Sequence, residues 1–198
     1  DSGTYTAIVT ITDNQGATGT QTTTITVTNM APSLEPIIIS NNPIQINNPI
    51  TASTKFTDLG ILDTHTAIWD WGDGNTTNGT IQETNGSGPV TGNHSYTQTG
   101  VYTIALTITD NNNGETTATY QYIAVYDPNA GFLTGSGKYA TQGIEGKFGI
   151  QAKYHNGATP TGETKITIKL ENIDFQSTSY QWLIINGTKA TLKGQGTM

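Results

Sequence analysis

An internal repeat is the feature that most constrains how this chain can fold. Residues 3–14, GTYTAIVTITDN, match residues 100–111, GVYTIALTITDN, at an offset of 97 residues. The match resumes after one extra residue, which we assign to the following loop, so that Ile25 corresponds to Ile123. Self-similarity at a fixed distance is typical of chains built from repeated modules. The sequence therefore predicts more than one copy of the same structural unit.

Apolar and polar residues alternate along the second copy of this repeat. Tyr102, Ile104 and Leu106 fall on one side of a predicted strand, and small or threonine side chains fall on the other. This period of two indicates a strand with one buried face, and the Asp-Asn turn that follows indicates a hairpin. A lone hairpin is marginal in water. Residues 1–31 are therefore interpreted either as the C-terminal hairpin of a module that is cut off upstream, or as a hairpin that pairs with another chain.

The composition favours β structure and excludes several classes of protein. Hydrophobic residues make up 33% and charged residues 12% of the chain, while Thr, Asn and Gly are frequent, as expected for short strands with polar outer faces. The absence of Cys excludes disulfides and Cys-bound metals. The net charge of −7 and the absence of Arg argue against a nucleic-acid partner. No apolar run is long enough to span a membrane.

Proline and charge distributions suggest where the domains meet. Pro32, Pro36, Pro43 and Pro49 punctuate the entry to a complete module, which we place at residues 32–128. Acidic residues dominate up to that boundary, whereas residues 129–198 hold seven Lys against four acidic residues. Such a change in charge is typical of a domain junction. Residues 129–198 are interpreted as a partial C-terminal β domain.

The motif WDWGDG at residues 69–74 is followed by His94-Ser95-Tyr96 and then by GVYT at residues 100–103. This order of motifs resembles the signature of the PKD (polycystic kidney disease) domain. The resemblance covers residues 32–128 fully and the N-terminal hairpin as a tail. It implies an all-β chain of tandem immunoglobulin-like β-sandwiches, each with about seven strands.

Physical arguments explain why this signature contains so many aromatic residues. Trp69 and Trp71 lie on the same face of a predicted strand, so at least one of them should fill the core between the two sheets. Tyr96 precedes a core strand and can place its hydroxyl on a backbone group, as a tyrosine corner does. Together with Tyr102, these residues form the predicted core signature.

The C-terminal segments 148–164 and 175–197 more weakly resemble the domain that often follows PKD-like repeats in large archaeal and bacterial surface proteins. The resemblance implies that this domain is incomplete here, and it indicates no chemistry.

Asp70 and Asp73 are the candidate metal ligands. Carboxylate oxygens suit calcium, and the resemblance implies calcium because some PKD-like modules of secreted collagenases carry it near this motif. The alternative is that Asp70 forms a local hydrogen bond and Asp73 shapes the turn. His65, His94 and His155 lack the spacing of a zinc site. Calcium is therefore the one candidate cofactor that the sequence suggests, and no other cofactor is expected.

Asparagine residues provide candidate modification sites. The N-x-[ST] sequons, which are the acceptor sites of N-linked glycans, are at Asn75, Asn78, Asn85, Asn93 and Asn186. In a chain rich in Asn and Thr some sequons arise by chance. Four of them nevertheless cluster between the Trp strand and Tyr96, so we expect a glycoprotein if the host glycosylates asparagine.

Two functions remain open, and neither is enzymatic. The first is a structural or adhesive module of an extracellular cell-surface protein, which acts as a spacer or assembles with copies of itself or with neighbouring surface domains into a coat or filament. The second is an accessory module of a secreted hydrolase, collagenase-like or chitinase-like, that spaces or binds a carbohydrate or matrix polymer. Exposed aromatic residues would favour the second function, and Tyr120 and Tyr122 are the candidates because we expect them to face outward.

Overall fold

The computed structural model of the chain describes residues 2–141, 144–155, 159–169 and 172–198. All regular structure in these ranges is β-strand, and the described residues contain no helix. Threonine and the β-branched aliphatic residues suit half-buried strands. The prediction of an all-β fold is confirmed.

A two-stranded antiparallel hairpin comes first. It consists of β1 (Gly3–Thr12) and β2 (Thr18–Val27), which pair along their whole length. Among the described residues these two strands form a sheet of their own.

Ten strands form the central module. They are β3 (Ser33–Leu34), β4 (Ile38–Ile39), β5 (Ile44–Gln45), β6 (Pro49–Thr57), β7 (His65–Asp70), β8 (Thr76–Asn78), β9 (Thr80–Ile81), β10 (Ser87–Ser95), β11 (Gly100–Asp110) and β12 (Glu115–Tyr126). One sheet has the order β3-β6-β10-β9 with β4 also on β6, and the other has the order β5-β12-β11-β7-β8. Two such sheets packed on one core make an immunoglobulin-like sandwich, so the predicted fold of this module is confirmed.

Side chains from both sheets fill the core of the central module. Alternate residues of β6 and β11 point inward, as the period-two pattern predicts. The fully buried side chains from these two strands are Ile50, Ala52, Phe56, Ile104, Leu106 and Ile108. Trp69 and Trp71 are also completely buried, so both tryptophans of the signature belong to the core.

The turns of the two repeated hairpins have the same length. The amide of Asp13 donates to the carbonyl of Ala17, and the amide of Asp110 donates to the carbonyl of Gly114, both at 2.9 Å. The expectation that the second copy carries its extra residue in this loop is therefore wrong.

The extra residue lies in β12 instead. Tyr102 is opposite Ile123 and Ile104 is opposite Tyr120, so two residues of β12, one of them Tyr122, face a single residue of β11. This is a β-bulge, which adds one residue to one strand of an antiparallel pair. Tyr122 has a φ of 67°, an unusual conformation for a bulky residue.

The C-terminal strands form a third, five-stranded antiparallel sheet in sequence order. They are β13 (Phe132–Thr141), β14 (Ile144–Tyr154), β15 (Pro160–Ile168), β16 (Ile173–Asn186) and β17 (Lys189–Thr197). Residues 156–158 of the C-terminal resemblance lie outside the described ranges. We call this sheet the C-terminal sheet.

Candidate functional site

The signature residues form one continuous aromatic stack at one end of the central module. The ring centroids of Trp69 and Trp71 are 5.6 Å apart, and those of Trp71 and His94 are 5.0 Å apart. Tyr96 meets His94 edge-on at 4.7 Å and stacks on Tyr102 at 4.4 Å. Aromatic pairs at these separations contribute beyond the area that they bury.

Hydrogen bonds fix the orientation of the rings in this stack. The hydroxyl of Tyr96 donates to the backbone carbonyl of Trp71 at 2.9 Å. The indole Nε1 of Trp71 donates to Oγ1 of Thr77, also at 2.9 Å. Burial raises the pKa of Tyr96 far above its usual value, so this hydroxyl stays a donor. The stack is thus a structural unit that ties β7 to the segment preceding β11.

Asp70 and Asp73 both hold the turn after β7. Oδ1 of Asp70 accepts from the amide of Gly72 at 2.8 Å, and Oδ1 of Asp73 accepts from the amide of Asn75 at 3.0 Å. Oδ2 of Asp73 lies 2.7 Å from Nε2 of His94. Burial disfavours the charge on Asp73, but hydrogen bonds from His94 and Asn75 outweigh burial and lower its pKa.

In the described part of the chain, neither Asp70 nor Asp73 belongs to a group of three side chains that could hold a metal. Their role as calcium ligands stays a prediction.

A different set of carboxylates does form such a group. Asp58 and Asp63 lie in the loop between β6 and β7, Asp110 is the last residue of β11, and all three are buried. One oxygen from each lies within 4.8 Å of the others. We call these three residues the carboxylate cluster.

Two of the three carboxylates are already hydrogen-bonded. Oδ1 of Asp58 accepts from the amide of Gly60 at 2.7 Å. Oδ2 of Asp110 accepts from Nδ2 of Asn29 at 2.7 Å, and its Oδ1 accepts from the amides of Asn112 and Gly114. Burial raises the pKa of Asp110, but these hydrogen bonds together lower it below the usual value. Asp110 therefore stays ionised.

The third residue, Asp63, is also buried, and its backbone amide donates to the carbonyl of Gly60 at 2.8 Å. Three carboxylates whose oxygens lie this close together fit a hard divalent cation, for which oxygen ligands are preferred. Asp58, Asp63 and Asp110 are thus the residues that could hold a calcium ion.

His65 borders the carboxylate cluster. Its Nε2 lies 3.0 Å from Oδ2 of Asp58 and its Nδ1 lies 3.0 Å from Oε1 of Glu83. Its ring also packs on Phe56 with centroids 4.6 Å apart. His65 therefore holds the carboxylate of Asp58 in place, in the manner of a residue that positions a ligand.

The asparagines of the sequons are all exposed, and four of them lie on the central module. They are Asn75, Asn78, Asn85, Asn93 and Asn186. Oδ1 of Asn93 accepts from Oγ1 of Thr51 at 2.7 Å, whereas Nδ2 of Asn186 donates to the carbonyl of Thr99 at 3.0 Å. Glycosylation of these residues stays a prediction.

The two candidate surface tyrosines differ in burial. Tyr122 is 64% exposed, whereas Tyr120 is half-buried and packs against the core of the central module. The expected outward position of Tyr120 is wrong because the bulge puts an additional residue between Tyr120 and Ile123, which returns both side chains to the same face.

A second buried cluster joins the central module to the C-terminal sheet. Ala124 and Tyr126 at the end of β12 pack with Tyr154, Trp182 and Leu183 of the C-terminal sheet. The rings of Tyr126 and Tyr154 stack with centroids 5.0 Å apart. This junction core is built from both units.

Polar contacts reinforce the junction core. Oγ1 of Thr99 donates to the carbonyl of Ile185 at 2.7 Å. The hydroxyl of Tyr154 both donates to the carbonyl and accepts from the amide of Leu183, each at 2.9 Å. Burial raises the pKa of Tyr154 to about 12, which keeps this donor protonated.

Comparison with known proteins decides the family of the central module. The family model of the PKD domain matches residues 29–125. This part of the chain is a PKD domain. The chain is also similar to the crystal structure of the PKD1 domain of Vibrio anguillarum Epp, with 23% sequence identity and a TM-score of 0.36. That match covers 50% of this chain and 99% of the Vibrio domain. No curated protein matches the chain.

The PKD domain indicates an extracellular module with a structural or adhesive role. In the described ranges there is no helix whose length and apolar character would let it cross a membrane.

Proposed function

We propose that this chain is a non-catalytic structural and adhesive module of an extracellular cell-surface protein, in which consecutive β units form a stiff spacer that assembles into a coat or filament. The observation that carries the proposal is the junction core. A spacer transmits force and keeps its reach only if neighbouring units do not swivel, and swivelling is the default when an interface is small and polar.

The junction core makes the PKD domain and the C-terminal sheet continuous. β12 contributes Ile123 and Val125 to the core of the PKD domain, and it contributes Ala124 and Tyr126 to the junction core. One strand therefore belongs to both cores through its two faces. A strand shared in this way leaves little freedom between the two units.

A divalent cation at the carboxylate cluster would stiffen the opposite end of the PKD domain. Asn29, in the segment that enters the domain, donates to Asp110 of the cluster. A cation held by Asp58, Asp63 and Asp110 would therefore fix the connection to the β1–β2 hairpin as well as the loops of the sandwich. This supports the proposal because extracellular calcium is available at the concentrations that such sites require.

Replacing Tyr126 by Ala tests the spacer function. We expect the native protein to unfold in a single calorimetric transition, and the Tyr126→Ala variant to unfold in two, because the stack on Tyr154 no longer couples the two units. Tyr122→Ala is the matched control, since it removes an exposed tyrosine from the same strand and should leave one transition. Two separate transitions in the native protein, with residual dipolar couplings that require two alignment tensors, would refute a stiff spacer.

One observation favours the second function, polymer binding by an accessory module of a secreted hydrolase. The bulge in β12 presents the Tyr122 ring to solvent, and exposed aromatic rings are a common platform for polymers. We expect retention on chitin, cellulose or collagen to be lost in Tyr122→Ala and kept in Val101→Ala, which shortens an exposed apolar residue of the adjacent strand. If the native protein binds none of the three polymers, this function is excluded.

A further inference from the structure

All lysines of the C-terminal sheet lie on one of its two faces. Lys138 of β13 is directly opposite Lys147 of β14, and Lys147 is directly opposite Thr167 of β15. Residues opposite each other in a sheet share a face, and so do residues two apart in one strand. By this alternation seven exposed lysines share one side, which we call the lysine face. They are Lys138, Lys147, Lys153, Lys165, Lys169, Lys189 and Lys193.

The opposite face of the sheet carries the aromatic and aliphatic side chains. Phe148 is opposite Ile166, and Ile166 is opposite Phe175. Antiparallel sheets commonly have one apolar face and one polar face that is stable in water. The lysine face therefore needs no further strand or sheet to cover it.

Two lysines at the centre of this face are not neutralised. Elsewhere on the face, lysine Nζ atoms lie 3.7 Å from a carboxylate oxygen of Glu145 and 4.0 Å from one of Asp174. In the part of the chain that the structure describes, Lys138 and Lys147 form no such ion pair, and we call them the opposed lysine pair. Like charges directly opposite each other in a sheet are destabilising. Their arrangement indicates that a negative group from outside the chain binds there.

Gly149, two residues after Lys147, has no structural reason to be a glycine. β14 pairs with both neighbouring strands through this position without a register shift, and a Cβ there would meet no atom within 4 Å. Every other described strand glycine of this sheet has an atom within 4 Å of its Cβ position, as Gly146 has in the ring of Tyr139. A glycine inside a strand weakens it and, without a bulge, marks a place where another molecule approaches the backbone.

Gly149 lies at the floor of a groove on the lysine face. Ser136 and Lys165 flank it on the two neighbouring strands, and Gln151 follows it on its own strand. Together with Glu163 these residues line a cleft of about 390 Å³. A second cleft, of about 410 Å³, begins at the next row of residues, which holds the opposed lysine pair. Hydroxyl, amide, carboxylate and ammonium groups therefore line one strip of the sheet.

We propose that the lysine face binds a polysaccharide whose sugars carry carboxylate or sulfate groups. The acidic groups of the polymer bind the opposed lysine pair through charge-assisted hydrogen bonds. A sugar ring lies over Gly149, where the backbone is bare, and its hydroxyls bond to Ser136, Gln151 and Glu163, which offer donors and acceptors. This mixture of groups favours an acidic sugar over an inorganic anion, which uses cations alone. The inference rests on the adhesive role proposed above and names its ligand.

The binding experiment titrates the full chain, labelled with 15N, with oligogalacturonate. We expect saturable chemical-shift changes at the lysine face of β13, β14 and β15, and at least about tenfold weaker binding of the fully methyl-esterified oligomer, which has the same rings without the charges. Dextran sulfate, with neutral dextran as its control, shows whether sulfate serves as well as carboxylate. Binding of either acidic polymer fulfils the proposal.

Gly149→Thr separates binding from folding. It fills the groove, so we expect at least about tenfold weaker binding, whereas the stability is kept or raised because threonine suits an exposed strand position. Gly19→Thr in β2 is the matched control, since it makes the same change at a strand glycine that also has no atom within 4 Å of its Cβ position. It should leave the affinity unchanged.

Lys147→Gln tests the electrostatic part of the site. We expect it to weaken binding at least about tenfold, because it removes a charged hydrogen-bond donor. Lys55→Gln is the matched control, since it removes an exposed lysine from the PKD domain and should change the affinity less than about twofold.

Three results would overturn the proposal. They are the absence of saturable shifts with both acidic polymers at millimolar sugar, native affinity in Gly149→Thr, and equal losses in Lys55→Gln and Lys147→Gln. Equal affinity for a poly-glutamate peptide would also overturn it, in favour of an acidic polypeptide as ligand. The calorimetric test with Tyr126→Ala reports on the spacer function separately, so the two proposals can fail independently.

Discussion

Replacement of Trp71 by Ala is expected to lower the free energy of unfolding of the PKD domain by about 3–5 kcal/mol. Trp71 is completely buried, and it lies between Trp69 and His94 in the aromatic stack. Its removal opens a cavity, breaks the hydrogen bond to Thr77, and takes away the ring on which His94 rests. Such a loss is a large share of the 5–15 kcal/mol that stabilises a typical domain. Urea denaturation followed by far-ultraviolet circular dichroism measures it.

Replacing each tryptophan by phenylalanine distinguishes the contribution of the indole hydrogen bond to stability from that of the side-chain volume. Nε1 of Trp69 is buried and has no hydrogen-bond partner in the described residues, whereas Nε1 of Trp71 donates to Thr77. Trp69→Phe removes an unpaired donor, so we expect it to cost about 1–2 kcal/mol less than Trp71→Phe, which leaves the Thr77 hydroxyl without its donor. Equal costs at the two positions would show that volume alone decides.

The sequence was sufficient for the sandwich because its strongest signals are local. The alternation in β11 and the spacing of Trp69 and Trp71 can each be recognised within a few consecutive residues. In the structure, the side chains that these two patterns predict to face the core are buried. β10 carried no comparable signal, although it pairs along nine residues with β6. Its inward position Gly92 lies under the indole of Trp69, where a Cβ would come within 2.5 Å of Cδ1. The indole of Trp69, from the opposite sheet, therefore fills the space that an apolar side chain at position 92 would otherwise occupy. For this reason β10 lacks the alternation of apolar residues by which a strand is recognised in the sequence.

The position of the extra residue in the repeat could not be found by alignment. An insertion in the turn and an insertion in β12 give the same offsets for Ile123 and the residues after it. Only the hydrogen bonds of the turn distinguish them, and they place the extra residue at the bulge that exposes Tyr122 and buries part of Tyr120. A shift of one residue moves every side chain to the other face of a strand. The prediction that Tyr120 faces solvent was therefore wrong, because it assumed that the extra residue lies in the turn.

The carboxylate cluster was missed for a different reason. Asp58 and Asp63 lie in one loop, but Asp110 is 47 residues beyond Asp63 and comes from the end of β11. Nothing in the sequence marks these three aspartates as neighbours, whereas Asp70 and Asp73 stand together in a recognisable motif. The sandwich topology brings the β6–β7 loop and the end of β11 to the same edge, since β7 and β11 are paired with Asp110 opposite His65.

Calcium is expected to stabilise the protein, and Asp63→Asn is expected to abolish that effect. At a calcium concentration about one hundred times the dissociation constant, binding to the folded state alone contributes about 2.7 kcal/mol, which calorimetry detects as a rise in Tm of several degrees. In EDTA, we expect Asp63→Asn to be at least as stable as the native protein. The three neighbouring carboxylates then repel one another, and the substitution removes one of the three charges.

Asp73→Asn is the control that decides between the two candidate calcium sites. It has the same change in charge and volume, but it weakens the contact with His94, so we expect it to lower the stability in EDTA and to leave the calcium-induced shift unchanged. The opposite pattern, in which Asp73→Asn abolishes the shift and Asp63→Asn keeps it, would place the cation at Asp70 and Asp73. A native protein whose Tm is the same in calcium and EDTA would leave the carboxylate cluster without a cation, and Asp63→Asn should then be a stabilising substitution under every condition.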